Sequence, residues 1–207
     1  MLDQSLDYYL ADKPDADLGG KLIAEACRSL KYNRDEYLAQ IGNETIISKL
    51  VETAALWQSP DYKLRKLALA ADPKDTGFPR EVLAAGLDAC FKEWTQEKFF
   101  SLLNQEIGDP TRLQSYGSLS GRSLAMVHGP KLIAQLAPGN LPVPIFQSIA
   151  FGLLLRSAQF VKCATGKSLL PRLFGHSLHY VDPGLASSLE IAEWKGGNEK
   201  LESELYN

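Results

Sequence analysis

The sequence predicts an α/β fold in which a layer of helices precedes the first part of a parallel sheet. Two observations predict it. Apolar residues recur at helical spacing from about residue 18 to residue 107. After residue 110 the pattern changes to strand, turn and helix in alternation, which is the sequence form of βαβ units in a parallel sheet. We therefore expect a mainly helical region over residues 1–110 and an incomplete βαβ domain over residues 111–207.

Five helices are expected in the first region, because each has an apolar face and most have a start signal. The first face contains Leu22, Ile23 and Leu30, and the second extends from Ile46 to Trp57. Proline fits the first turn of a helix, so Pro60 and Pro79 predict that helices begin near residues 62 and 80. A fifth helix is expected from Thr95.

The second region begins with an irregular, Ser- and Gly-rich stretch over residues 113–129, which we expect to be a loop with short extended pieces. Apolar runs then predict a buried strand over residues 131–137 and further strands over residues 159–163 and 189–194. Helices are expected between these strands, over residues 144–157 and 168–180. Ser168 is the expected cap of the second of these, and Asn198 could cap a last helix that continues through Leu205.

Composition excludes several classes of function. The chain has 207 residues and a formal net charge of −3 without any basic run, which argues against nucleic-acid binding. Its longest apolar stretch, residues 145–155, is interrupted by polar residues and is shorter than the roughly 20 residues of a membrane span. The N-terminus has no basic segment followed by an apolar core, and the three cysteines are far apart and odd in number. We expect a cytoplasmic protein without disulfides.

The stretch from the first predicted strand to Lys162 carries a family resemblance. It reads LIAQLAPGNLPVPIFQSIAFGLLLRSAQFVK, an apolar strand followed by Pro138-Gly139-Asn140, a long helix and a strand that ends in lysine. This pattern resembles the corresponding segment of the aldehyde dehydrogenase superfamily. Because Gly139 stands where most members have an aromatic residue, the segment is more similar to that of the LuxC-type acyl-CoA reductases. The later Glu-Trp-Lys-Gly-Gly run at 193–197 is similar to the third strand and its loop in that group. The resemblance implies a Rossmann-like sheet of the aldehyde dehydrogenase type, and it covers residues 128–207 in detail.

The resemblance implies the reduction of a fatty acyl thioester to an aldehyde through a cysteine acyl-enzyme. The donor would be an acyl-CoA or an acyl group carried by a protein. Asn140 matches the side-chain donor of the oxyanion hole, where a fixed amide can contribute about 3 kcal/mol to the transition state. Taken alone, the Pro-Gly-Asn sequence would be a simple turn.

The cofactor residues implied by the resemblance are Lys162, which would contact the adenosine ribose or its 2′-phosphate, and Thr165. NAD-selective relatives often have a glutamate at the position of Thr165, and that carboxylate repels a 2′-phosphate. We therefore expect NADP(H) rather than NAD(H). Gly196 and Gly197 could allow the adenine to approach the backbone, or could simply end a strand. No metal is expected, because His176 and His179 lack a supporting Glu or Cys.

The cysteine nucleophile of the family lies downstream of this segment, and none of the three cysteines matches it. Cys163 is adjacent to Lys162, which could lower the pKa of its thiol, but it lies on the cofactor side of the motif. We therefore expect a fragment that lacks reductase activity by itself. Two alternatives stay open: a non-catalytic module that binds a partner or forms an oligomer, and a generic aldehyde dehydrogenase.

Overall fold

A computed structural model describes residues 7–13, 18–120, 123–137 and 143–206. It contains a layer of helices, a short hairpin and a parallel sheet with helices on both faces. The helices are α1 (Gly20–Asn33), α2 (Asn43–Gln58), α3 (Lys63–Ala70), α4 (Pro73–Thr76), α5 (Arg80–Lys92), α6 (Gln96–Ile107), α7 (Val143–Leu154), α8 (Leu169–Val181), α9 (Pro183–Ala186) and α10 (Glu199–Tyr206). The strands are β1 (Gly117–Ser120), β2 (Ser123–Ala125), β3 (Leu132–Leu136), β4 (Ala158–Cys163) and β5 (Leu189–Glu193).

The sheet confirms the predicted α/β fold. Its strand order is β3-β4-β5, and both pairs are parallel. The register places Leu136 opposite Lys162, and Lys162 opposite Ala192. Because the strands are parallel, the segments that follow them all leave from the same edge of the sheet.

Two buried clusters cover the two faces of β4, because successive side chains of a strand point to opposite faces. Val161 and Cys163 belong to the larger cluster, which contains side chains of α2, α5, α7 and α8. Phe160 lies on the other face with Trp194 and side chains of α1 and α10. The larger cluster includes residues from both sides of position 110, and the boundary expected there stays a prediction.

The turn from α7 to β4 is fixed by a buried arginine. Arg156 is the one residue other than glycine with a positive φ, 55°, among the residues that the structure describes. Its guanidinium donates to the carbonyl of Ile41 at 3.0 Å and to Asn43 Oδ1 at 2.7 Å. Burial lowers the pKa of Arg156, and the nearby Arg34 lowers it further. These bonds connect the start of α2 to the turn before β4. The helix α7 ends before this turn, at Leu154, whereas the sequence predicted an end near residue 157.

One further expectation is corrected. The strand predicted to be buried, β3, is only half-buried, and Leu136 is 61% exposed, because the outer edge of β3 pairs with no other described strand. The short extended pieces expected over residues 113–129 are the strands β1 and β2, which pair as an antiparallel hairpin. No helix in the described part of the chain is long and apolar enough to cross a membrane.

Candidate functional site

The carboxyl edge of the sheet brings the predicted cofactor residues together. The strands β4 and β5 end side by side, and the backbone N–H of Trp194 donates to the carbonyl of Cys163 at 3.3 Å. On the other side of β4, the Ala137 N–H donates to the carbonyl of Lys162 at 2.9 Å. Open α/β sheets bind nucleotides at this edge.

Lys162 has an ammonium group that is nearly buried and has no ionic partner. The residue is 9% exposed. Its Nζ lies 5.6 Å from the centre of the Trp194 ring, a distance at which a cation interacts with the ring. A Cβ placed on Gly196 would be 3.8 Å from this Nζ, so the turn after β5 adjoins it. The structure gives it neither a hydrogen bond nor an ion pair with any described residue. A buried cation of this kind is suited to an anionic or polar ligand.

Thr165 is exposed in the turn between β4 and α8, two residues beyond the end of the strand. The next residue, Gly166, has a φ of +71°. Its N–H donates to Glu193 Oε1 at 2.6 Å, and the N–H of Ser168 donates to Glu193 Oε2 at 3.1 Å. Ser168 is the N-cap residue of α8, as predicted, but its side chain makes no capping bond. The carboxylate of Glu193 thus holds the turn that leads into the helix.

Gly196 and Gly197 form an exposed turn at the end of β5. Gly197 has a φ of +83°, and its N–H donates to Glu202 Oε1 at 3.0 Å. A non-glycine residue would be strained at this φ. Glycine is therefore required at position 197 by the backbone conformation, and at position 196 it leaves the space beside the Lys162 ammonium group open.

Asn140, the predicted oxyanion donor, lies outside the described residues, as does Gly139. The structure therefore places only the strand that precedes them. That strand, β3, ends at the same edge of the sheet as Lys162.

The three cysteines are buried and free. Burial and, to a smaller extent, the nearby Glu193 raise the pKa of the Cys163 thiol to about 12, against a lowering by Lys162 and Arg172. Burial also raises the pKa of Cys90 to about 11 and raises the pKa of Cys27. A nucleophilic cysteine needs its thiolate form, so none of the three is suited to attack a thioester at neutral pH.

A groove of about 480 Å³ opens beside this edge. Its walls come from the turn before α8, the end of β5, the start of α10 and the N-terminal segment; they include Leu10, Lys13, Gly166, Ser168, Arg172, Glu193, Trp194 and Asn198. Trp194 is 6% exposed, and its indole N–H has no hydrogen-bond partner in the described structure. The sequence pattern pointed to neither Glu193 nor Trp194 as a site residue.

The N-terminal segment, residues 7–13, is held against α8 and β5 by a buried carboxylate. Asp12 accepts hydrogen bonds from Arg172 Nε at 2.7 Å and from the backbone N–H of Tyr9 at 2.8 Å, and its Oδ2 lies 2.9 Å from His176 Nε2. Burial would raise the pKa of Asp12, but the hydrogen bonds from His176, Tyr9, Tyr8 and Arg172 together outweigh burial and lower it to about 2. His176 thus has a structural partner. Within the described ranges, no three His, Cys, Asp or Glu side chains lie close enough together to hold a metal ion.

Comparison with known proteins gives a family and a fold. Residues 38–207 match the family described as acyl-CoA reductase (LuxC). The match includes much of the helical region, which the sequence pattern alone did not assign. No curated protein matches the chain.

Two solved structures share the fold. One is a protein from Burkholderia cenocepacia assigned as an aldehyde dehydrogenase, with a TM-score of 0.69 and 16% identity over 96% of this chain and 40% of its own. The other is the glyceraldehyde-3-phosphate dehydrogenase GapN from Methanocaldococcus jannaschii complexed with NADP, with a TM-score of 0.68 and 12% identity over 96% and 43%. The chain thus spans less than half the length of either. These similarities confirm the fold of the aldehyde dehydrogenase type.

Proposed function

The chain belongs to the acyl-CoA reductase (LuxC) family, and from this we propose that it is the N-terminal part of a reductase that converts a fatty acyl thioester to an aldehyde with NAD(P)H. The observation that carries the proposal is the nearly buried ammonium group of Lys162, which lies at the carboxyl edge of the sheet beside the Gly196 turn and has no ionic partner among the described residues. A ribose hydroxyl or a phosphate oxygen would satisfy it.

The proposed chemistry has two steps. A cysteine thiolate attacks the thioester carbonyl, and coenzyme A or a carrier thiol leaves to give an acyl-enzyme. NAD(P)H, when bound, supplies the hydride that releases the aldehyde and the cysteine. Since Cys27, Cys90 and Cys163 are buried thiols, we propose that the nucleophile lies outside this chain and that the chain alone lacks reductase activity.

Asn140 is the proposed oxyanion donor. The segment that contains it follows β3, at the edge of the sheet where Lys162 lies. An amide N–H directed at the tetrahedral oxyanion stabilises the transition state more than the bound thioester, so its effect falls on turnover. The proposal thus assigns the cofactor to the ends of β4 and β5, and the oxyanion to the segment after β3.

NADP(H) is the proposed cofactor rather than NAD(H), because Thr165 places no carboxylate of its own beside the ribose. Lys162 would contact the ribose or its 2′-phosphate. Gly196 and Gly197 would allow the adenosine to approach the backbone. The proposed acyl donor is an acyl-CoA or a carrier-bound acyl group, and the proposed location is the cytoplasm.

The experiment that tests the proposal measures NADPH binding to the 207-residue chain by isothermal titration calorimetry. Lys162→Ala removes the ammonium group, and we expect the Kd to rise about ten- to 150-fold, since a hydrogen bond to a charged group contributes about 1.5–3 kcal/mol. The matched control is Lys21→Ala, an exposed lysine on α1, which should leave the Kd unchanged. Equal affinities in the wild type and Lys162→Ala, or no binding by the wild type, would contradict the proposal.

A second candidate function is a non-catalytic module that binds a partner or forms an oligomer. It is favoured by the outer edge of β3, which pairs with no other described strand; Leu136 at this edge and Phe151 of the adjacent α7 are 61% and 43% exposed. An apolar groove of about 380 Å³ lies along this edge, between β3 and α7. An unpaired strand edge beside exposed apolar side chains is a site for further strand pairing.

A further inference from the structure

The carboxylate of Glu193 binds the turn that leads into α8. Glu193 is the last residue of β5 and lies opposite Cys163 in the parallel register. Its two oxygens accept the N–H groups of Gly166 and Ser168, at 2.6 and 3.1 Å. Backbone N–H groups that a turn brings together can bind an anion. Here the chain itself supplies the anion.

This carboxylate lies next to the position that governs the 2′-phosphate. Thr165 is joined by a peptide bond to Gly166, whose N–H holds Glu193 Oε1. Thr165 has no carboxylate, but the neighbouring strand brings one to the adjoining peptide group. The charge of this turn therefore depends on Glu193 as well as on the residue at position 165.

No cation neutralises Glu193 among the described residues. Arg172, which also lines the groove, pairs with Asp12 at 2.7 Å. Lys13 pairs with Asp7 at 3.3 Å. Lys167, in the same turn as Thr165, keeps its charge, but it donates to the backbone carbonyl of Lys74 and makes no ion pair with Glu193 in the described structure. A phosphate near Gly166 would therefore meet the negative charge of Glu193, and the N–H groups of Gly166 and Ser168 would already be occupied.

We propose that Glu193 is a specificity-determining residue of the cofactor site, whose carboxylate takes the N–H donors of the turn after Lys162 and repels a 2′-phosphate beside them. This inference rests on the proposed function. Thr165 permits a preference for NADP(H), because it has no carboxylate. Glu193 reduces that preference, because its carboxylate weakens the binding of NADP(H) relative to NAD(H).

The test is the ratio of the Kd values for NADPH and NADH, measured by calorimetry on the 207-residue chain. Glu193→Gln removes the charge and keeps an oxygen that can accept a hydrogen bond. We expect the Kd for NADPH to fall on the order of tenfold, the effect of removing one nearby charge at an intermediate dielectric constant, with the Kd for NADH within about twofold. Glu193→Asp keeps the charge and should keep the ratio closer to that of the wild type.

The matched control is Glu190→Gln, the same substitution at the other end of β5, where the carboxylate accepts the N–H groups of Leu10 and Ile191. It should leave the ratio unchanged. Binding of both cofactors with the same ratio in the wild type and Glu193→Gln would overturn the role of Glu193 alone. If the wild type bound neither cofactor, the proposed function and this inference would fail together.

Discussion

Ser177 is a polar residue buried within an aromatic core. Trp57 Nε1 donates to its hydroxyl oxygen at 2.8 Å, and the Tyr62 hydroxyl donates to the same oxygen at 3.1 Å. The Ser177 hydroxyl donates in turn to the carbonyl of Leu173 at 2.8 Å. Each donor therefore has an acceptor, which a buried polar group requires to avoid a penalty for lost hydration. One hydroxyl thus connects α2 and the start of α3 to α8.

Replacing Ser177 by alanine should lower the free energy of unfolding by about 1–3 kcal/mol, because the buried N–H of Trp57 would lose its acceptor. The control is Ser203→Ala, an exposed serine whose hydroxyl also bonds a carbonyl of its own helix, and it should change stability by less than about 0.5 kcal/mol. Urea unfolding followed by circular dichroism gives both values. A loss in Ser177→Ala no larger than that of the control would show that this bond contributes little.

Lys162 and Glu193 differ in how far the sequence could predict their roles. The role of Lys162 was predicted from the resemblance to the LuxC-type reductases, in which a lysine near the end of the second strand contacts the cofactor. Glu193 was not predicted, because its contact with Gly166 depends on the register between β4 and β5, which local patterns do not determine. Ser168 stands at the predicted cap position, but its side chain makes no capping bond, and its own N–H donates to the same distant carboxylate.

Among the elements, those with a clear period were predictable and the shortest ones were not. The apolar faces predicted α2, α5 and α6, and the βαβ pattern predicted β3 to β5 in order. The helices α4 and α9 were not predicted, because their four residues are too few to show a period. The π-helical turn Arg34–Leu38, where one extra residue enters the end of α1, was not predicted either. The exposure of β3 depends on its place at the edge of the sheet.

The contact between β5 and the N-terminal segment should make stability depend on pH. Glu190 Oε1 accepts the Leu10 N–H at 2.8 Å. Burial raises the pKa of Glu190 from its ordinary 4.5 to about 7, despite the hydrogen bonds from Leu10 and Ile191. Between these two pH values the folded state binds more protons than the unfolded state, so this group's contribution to stability falls as pH rises from 4.5 to 7.

Glu190→Gln removes this titration and keeps an oxygen that can accept the Leu10 N–H. We expect the variant to be more stable than the wild type by about 1–3 kcal/mol at pH 8 and nearly equal to it near pH 4.5. Urea unfolding at several pH values measures the difference, with Glu25→Gln, an exposed residue of α1, as the control. A difference that stays constant across this range would contradict the raised pKa of Glu190.

At the scale of the whole molecule, one large core joins the helical layer to the sheet. Phe91 of α5 stacks with Phe146 of α7 at 5.6 Å and with Phe174 of α8 at 6.1 Å, so aromatic rings from both sides of residue 110 are in contact. The outer edge of β3, which pairs with no other described strand, is not covered by this core. It leaves apolar side chains at the surface of a molecule that is otherwise covered by helices on both faces of its sheet.

We expect the 207-residue chain to associate with itself through this edge at concentrations of tens of micromolar and above. Sedimentation velocity should show a dimer or larger species in the wild type and a monomer in Phe151→Glu, which places a charge in the groove beside β3. Leu124→Glu, on the exposed hairpin strand β2, is the control and should sediment as the wild type does. A wild-type monomer at all concentrations would count against the second candidate function.

The contacts of the N-terminal segment can form only late in the synthesis of this chain. Its bonds reach very distant parts of the chain: Asp12 pairs with Arg172, 160 residues away, and the Leu10 N–H bonds Glu190, 180 residues away. These residues are thus synthesised well before their partners. Contacts of this kind close very long loops and form slowly. During translation the groove beside Trp194 therefore gains this wall only after α8 and β5 have been synthesised.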